Sequence, residues 1–112
     1  MLRFIYHAVH REAVVDESYA PESLSREGFI HCSFAPSIHE SVKLYMANLE
    51  EVDVVQLDVT KLEAKLLIEA TPRGPMPHVF GPIAAAAVVA RTPFLELPAK
   101  LPDVIDTDHA SR

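Results

Sequence analysis

Three histidines stand in apolar, strand-like surroundings: His7 in Phe4-Ile5-Tyr6-His7, His31 in Gly28-Phe29-Ile30-His31-Cys32-Ser33, and His78 in Pro77-His78-Val79-Phe80-Gly81-Pro82. Imidazole both donates and accepts protons near neutral pH, so a shared pocket of three would suit acid–base work on a polar ligand. A strand alternates its faces, which puts Phe29, His31 and Ser33 on one side and Ile30 and Cys32 on the other. With Ile30 and Cys32 facing a core, the opposite face carries an aromatic ring, an imidazole and a hydroxyl together. Glu69 closes the apolar run Leu66-Leu67-Ile68 and enters the loop that leads to His78, where it could orient a histidine or hold a ribose hydroxyl. Arg73 in that loop is a charge available to an anionic ligand, as is Arg26 beside Glu27.

Blander readings stand beside these. Each strand histidine could be a hydrogen-bonded structural residue, and Glu69 a solvated strand end. Three histidines can hold zinc, but their spacing matches neither H-x-H nor H-E-x-x-H, so no metal ligands are assigned. Cys32 has no neighbouring cation in sequence to make it a thiolate and reads as a buried, inert thiol. His10, His39 and His109 receive no role.

The elements that must position these groups follow from pattern. Residues 3–9, 28–33, 52–59, 66–70 and 88–97 have strand length and Val/Ile/aromatic content. Residues 36–50 place Ile38, Val42, Tyr45, Met46 and Leu49 at helical spacing, predicting an amphipathic helix of about four turns. A shorter helix is expected over 10–17, helical turns over 23–26 and 83–87, and Thr60 as the cap of one turn. Residues 71–77, rich in Pro and Gly, read as a loop. This order predicts one α+β domain over 1–97, with a split, mixed or mostly antiparallel sheet and one main helix, followed by a flexible tail over 98–112.

Composition bounds the function. At 112 residues the chain fits one domain, with roughly 6,000 Å² expected exposed when folded. No apolar run reaches the ~18 residues of a membrane span, and the first residues lack the pattern of a signal peptide. One cysteine suits a reducing cytoplasm. A net charge of −6 with scattered Lys and Arg disfavours long nucleic acid as a partner. Only three glycines are present and none forms a phosphate loop after a strand, which excludes Rossmann and P-loop designs.

The motifs Ile5-Tyr6-His7, Ser23-Leu24, Glu27-Gly28-Phe29-Ile30-His31-Cys32-Ser33 and Pro77-His78-Val79-Phe80-Gly81-Pro82-Ile83 together resemble a bacterial family known as domain of unknown function 952, over about residues 3–95. That family in turn looks like a compact relative of the ADP-ribosyltransferase fold, including RNA 2′-phosphotransferases. The resemblance implies a cleft for NAD, ADP-ribose or a related nucleotide, and a transferase activity. Tyr6-His7 is similar to the Tyr-His of those enzymes' first strand, and Ile30-His31-Cys32-Ser33 to the phosphotransferases' His-x-His-Leu-Ser strand, with Phe29 in place of the first histidine. Their arginine–histidine pair has no counterpart here, and Glu69 is the positional candidate for the catalytic glutamate. On this reading His7 binds ribose or diphosphate, Tyr6 or Phe29 lies beside a ring, and His31 is the acid–base or orienting group. His78 and Glu69 close the opposite wall, while Ser33 and Arg73 contact ligand. A ligand-binding or sensing module without turnover and a histidine-based metal-dependent hydrolase are the alternatives.

Overall fold

The computed structural model describes residues 1–16 and 19–104. Two three-stranded antiparallel sheets form its frame. In the first, β1 (Phe4–His10), β3 (Val52–Asp58) and β6 (Val88–Pro93) stand in the order β1-β3-β6. In the second, β2 (Ile30–His31), β5 (Gly74–Phe80) and β4 (Lys65–Thr71) stand in the order β2-β5-β4. The sheets are joined where Tyr6 and Ser33 exchange backbone hydrogen bonds of 2.8 and 2.7 Å. The expected sheet is therefore split, and every strand pair in it is antiparallel.

Alternation along β1 sorts its residues between two cores. Ile5 and Val9 face the second sheet, joining Ile30, Cys32, Val55, Leu57, Val79 and Ile83. Tyr6 faces the other way, with Ile38, Val42, Val52, Val54 and Phe94. Strand β3 is buried on both faces because it is central and covered on each side. Total exposed area is 6757 Å², near the value expected for a chain of this length.

Several elements differ from the sequence pattern, each for a local reason. Residues 71–77 are not a loop: β5 begins at Gly74 and is the central strand of its sheet, despite Pro75 and Pro77. The Pro77 carbonyl accepts from Cys32 N at 3.1 Å, so alternate residues of β5 turn their backbone groups towards β2. Both prolines turn their missing N–H to that side: Pro77 leaves its pair with Cys32 joined by one bond instead of two, and Pro75 lies past the end of β2. No helix forms over residues 10–16, and residue 17 lies outside the described residues. The Arg91 guanidinium donates to the carbonyls of His10, Arg11 and Ala13, occupying acceptors that a helix would have used.

The main helix, α2 (Ile38–Tyr45), is shorter than the four turns expected. It buries Ile38 and Val42, while Tyr45 is exposed. Met46 turns extended, and Asn48 caps a separate turn over Leu49–Glu51 by accepting from Glu50 N. The turn after β3, Val59–Lys61, is capped by Asp58 rather than Thr60. Asp58 also binds Arg3 at 2.8 Å, and that contact holds its carboxyl down at about 2. The tail expected over 98–112 is tied down in its first part: Asp103 O accepts from Arg3 N and Phe4 N, and Pro102 O from the Tyr6 hydroxyl. The remainder, 105–112, lies outside the described residues, together with His109.

Candidate functional site

Helix α1 (Glu22–Glu27) ends at Gly28, whose φ of 86° reverses the chain in the left-handed region that glycine enters without strain. Strand β2 starts two residues later and pairs with β5 in a register that sets His31 opposite His78. Strand β4 pairs on the far side, with Lys65 opposite Phe80, Leu67 opposite His78 and Glu69 opposite Met76. Because strand faces alternate, Phe29, His31, Phe80, His78, Met76, Lys65, Leu67 and Glu69 share one face of this sheet. Ile30, Cys32 and Val79 point oppositely, into the core.

On that face the rings touch. The His31 and His78 centroids lie 5.4 Å apart, edge to face. The Phe29 ring stacks on His78 at 4.1 Å and meets His31 edge-on at 4.9 Å, with Phe80 5.4 Å away. Each imidazole is held by a carboxylate: Glu69 Oε1 on His78 Nδ1 at 2.9 Å, diagonally across the strands, and Glu27 Oε2 on His31 Nε2 at 2.5 Å. A carboxylate oxygen accepts, so the proton sits on the bonded nitrogen of each ring. Among the described residues no hydrogen-bond partner stands at His78 Nε2 or at His31 Nδ1. His31 is exposed, whereas His78 is buried under Phe29. The two free nitrogens are what this face offers to a reacting or hydrogen-bonding ligand.

His7 does not join them. It belongs to the core face of β1, where its Nδ1–H donates to the His31 carbonyl at 2.7 Å. A carbonyl only accepts, so Nδ1 carries the proton and Nε2 accepts from the Tyr19 hydroxyl at 2.5 Å. Both nitrogens are used. Burial pushes the imidazole down to about 4, against the partial support of the His31 carbonyl and with the His31 charge adding to the fall. His7 is thus neutral and steadies the backbone of His31 from behind, instead of contacting a ligand. Burial likewise lifts the Tyr19 hydroxyl to about 12, with Cys32 adding and Arg91 opposing.

Tyr6 is also displaced from its expected role. It lies in the α2 core with its hydroxyl on Pro102 O, and burial, aided by Asp103, raises it to about 12. Ser33 and Arg73 meet each other through Ser41 of α2: Ser33 Oγ is 2.8 Å from Ser41 Oγ, to which Arg73 Nη1 donates at 2.8 Å. Cys32 is buried, and desolvation raises its thiol further. His10 sits exposed at the end of β1, 3.3 Å from Glu51, and His39 lies on α2 near Phe94.

Sequence reasoning missed three participants. Glu27 was legible in principle as the carboxylate four residues before His31, whereas nothing in sequence marks Tyr19 or Ser41. Among the described residues no group of three or more His, Cys, Asp or Glu side chains is placed to hold a metal ion. Two surface depressions, of about 290 and 230 Å³, are lined by Leu49, Pro93 and Leu95, and by Val54, Thr92 and Leu101 respectively. Both fall below the usual size of a ligand pocket and neither includes a histidine. On the imidazole face His31 is exposed, while the Phe29 ring covers His78. No helix among the described residues is long and apolar enough to cross a membrane.

Comparison with the curated proteins found no match. Among solved structures, the chain is similar to the crystal structure of protein CC0527 from Caulobacter crescentus, with a TM-score of 0.68, 20% identity, and 97% of this chain and 99% of that chain covered. A double-methionine variant of the same protein gives 0.68 at 19% identity, with the same coverage. At this identity the likeness establishes the fold. The family model described as "Protein of unknown function (DUF952)" matches residues 5–91, a span holding His7, the whole imidazole face and its carboxylates. The chain belongs to the DUF952 family.

Proposed function

We propose that the Phe29–His31–His78 face binds a nucleotide-like small molecule, NAD or an ADP-ribose derivative, and acts on it as a transferase by two-histidine acid–base chemistry. The observation that carries this reading is the pair of imidazoles 5.4 Å apart, each held by its own carboxylate with one nitrogen free. In such a pair the bare nitrogen of one ring accepts the proton of the attacking hydroxyl, while that of the other accepts a hydrogen bond from the ligand and orients it. Glu27 and Glu69 fix the tautomers. Phe29, Phe80 and Leu67 supply apolar surface against which a base or ribose can lie. The ADP-ribosyltransferase resemblance supports the ligand class. The acidic balance argues against a long polynucleotide, and the lone cysteine suits a cytoplasmic setting.

Calorimetry and thermal unfolding with NAD, ADP-ribose and simple nucleotides test the binding step. Ligand at 100 times its dissociation constant adds roughly 2.7 kcal/mol, which raises the midpoint of a domain this size by roughly 10 °C or more. No stabilisation by millimolar ligand refutes the reading. Turnover is tested by mass spectrometry of the ligand after long incubation, with product expected and lost in His31→Ala. A second reading, binding without turnover, is favoured by the exposure of His31 and of its partner Glu27, which leaves the candidate acid–base ring in water. It predicts stabilisation with the ligand chemically unchanged.

A further inference from the structure

A second polar cluster lies beyond the imidazole face, where β2 leaves its sheet. Ser33 is two residues past His31, on the same side of the strand and about 7 Å along it. There α2 brings Ser41, and the turn between β4 and β5 brings Arg73. That turn is fixed by Thr71, whose hydroxyl donates to Gly74 O at 2.6 Å and accepts from Arg73 N, and by the left-handed φ of 98° at Gly74. The guanidinium lies 5.6 Å from the centre of the Tyr45 ring. Its counter-charge is slight: Glu40 Oε1 stands 3.4 Å from Nη2, on a carboxylate that is 71% exposed.

Counting donors and acceptors reveals an imbalance. Arg73 Nη1 donates to Ser41 Oγ, while Arg73 Nε–H is enclosed with no acceptor. Of the two serine hydroxyls, one donates to the other, and among the described residues no acceptor stands at the second hydroxyl hydrogen. A fixed guanidinium and a surplus hydroxyl donor on buried Ser33 or on Ser41 make a place that lacks only an acceptor-rich group.

We propose that Ser33, Ser41 and Arg73 form an oxyanion site that takes the phosphate or diphosphate of the ligand held at the neighbouring imidazole face. Its assignment to that ligand rests on the function proposed above; the oxyanion site itself rests on the donor count. The anion displaces Glu40 from Nη2 and accepts from the guanidinium and the surplus hydroxyl. No covalent step is involved.

Inorganic pyrophosphate, titrated into the full chain at constant ionic strength and followed by amide and guanidinium NMR, tests this site. Saturable shifts at Ser33, Ser41 and Arg73 are expected. Affinity should fall at least tenfold in Arg73→Gln, rise about two- to five-fold in Glu40→Gln, and hold in His31→Ala. Should Arg73→Gln fail to fold, Ser41→Ala and Glu40→Gln decide: unchanged affinity in both overturns the proposal. Shifts no larger than those from chloride overturn it as well. ADP-ribose and adenosine separate this site from the wider reading. If adenosine binds the imidazole face while pyrophosphate leaves Arg73 unmoved, the oxyanion site is refuted and the proposed function survives. If pyrophosphate binds at Arg73 but ADP-ribose affinity does not depend on Arg73, the two sites are unrelated and the shared-ligand assignment is overturned.

Discussion

Lowering the pH from 7 to 5 weakens the fold through one buried group whose titration folding displaces, and the size of the effect follows from its surroundings. His7 is enclosed in the core between the sheets, with Nδ1–H on the His31 carbonyl and Nε2 accepting from Tyr19. Folding lowers its titration from the usual 6.5 to about 4, chiefly because burial penalises the imidazolium. Between those values the unfolded chain holds a proton that the folded one does not, so stability falls as pH falls. The contribution is whole above pH 6.5 and is lost at about 1.4 kcal/mol per pH unit down to about 4, amounting to about 2 kcal/mol by pH 5. Urea unfolding of the wild type and His7→Asn at intervals from pH 7 to 4.5 isolates this term, since other groups cancel between the two proteins. The variant strands the Tyr19 hydroxyl and should start about 1–3 kcal/mol lower at pH 7. Lacking the titration, it then falls less steeply, and the two curves close towards pH 5. Parallel curves would refute the account of His7 as a neutral, desolvated ring.

Other consequences are sharper in sign than in size. Ring nitrogen shifts of His78 should show a protonated Nδ1 and a bare Nε2, and Glu69→Gln should mix the two tautomers; an unmixed pattern means Glu69 does not set the proton. Cys32 should resist an aromatic disulfide reagent in the native state and react only as the chain unfolds, so rapid stoichiometric labelling would contradict its burial. Gly81→Ala places a methyl 2.9 Å from the Ala64 Cβ, which cannot rotate aside, and should cost about 1–3 kcal/mol in a denaturant titration. A Gly81→Ala midpoint equal to the wild type would show that the loop simply yields.

The face assignment along residues 28–33 was legible because alternation needs no knowledge of partners: Ile30 and Cys32 went inward and His31 outward. What sequence withheld was the strand facing it. Pro75 and Pro77 carry loop statistics, and a central strand holds them because both turn their missing N–H towards the short β2, at the cost of one bond at Cys32. Without β5 in place, the His31–His78 register and the diagonal reach of Glu69 to His78 had no basis. The Tyr6-His7 motif misled in another way. Adjacent residues on a strand face apart, so one motif divides between two cores and neither ring reaches the open face. Helix α2 lost half its expected length because a spacing of apolar residues does not reveal that Met46 turns extended.

The prolines of β5 have a consequence for the behaviour of the protein in crowded solution. Past Cys32, no strand among the described residues pairs with the β2 side of β5, and onto such a margin a second chain can dock backbone to backbone and begin aggregation. The first position along it, Pro75, has no N–H to offer, and neither has Pro77 beside Cys32. An incoming strand would find acceptors without their complementary donors and could not propagate a ladder. The residues that disguise β5 as a loop in the sequence thus let the sheet stay open beside the histidines without inviting self-association.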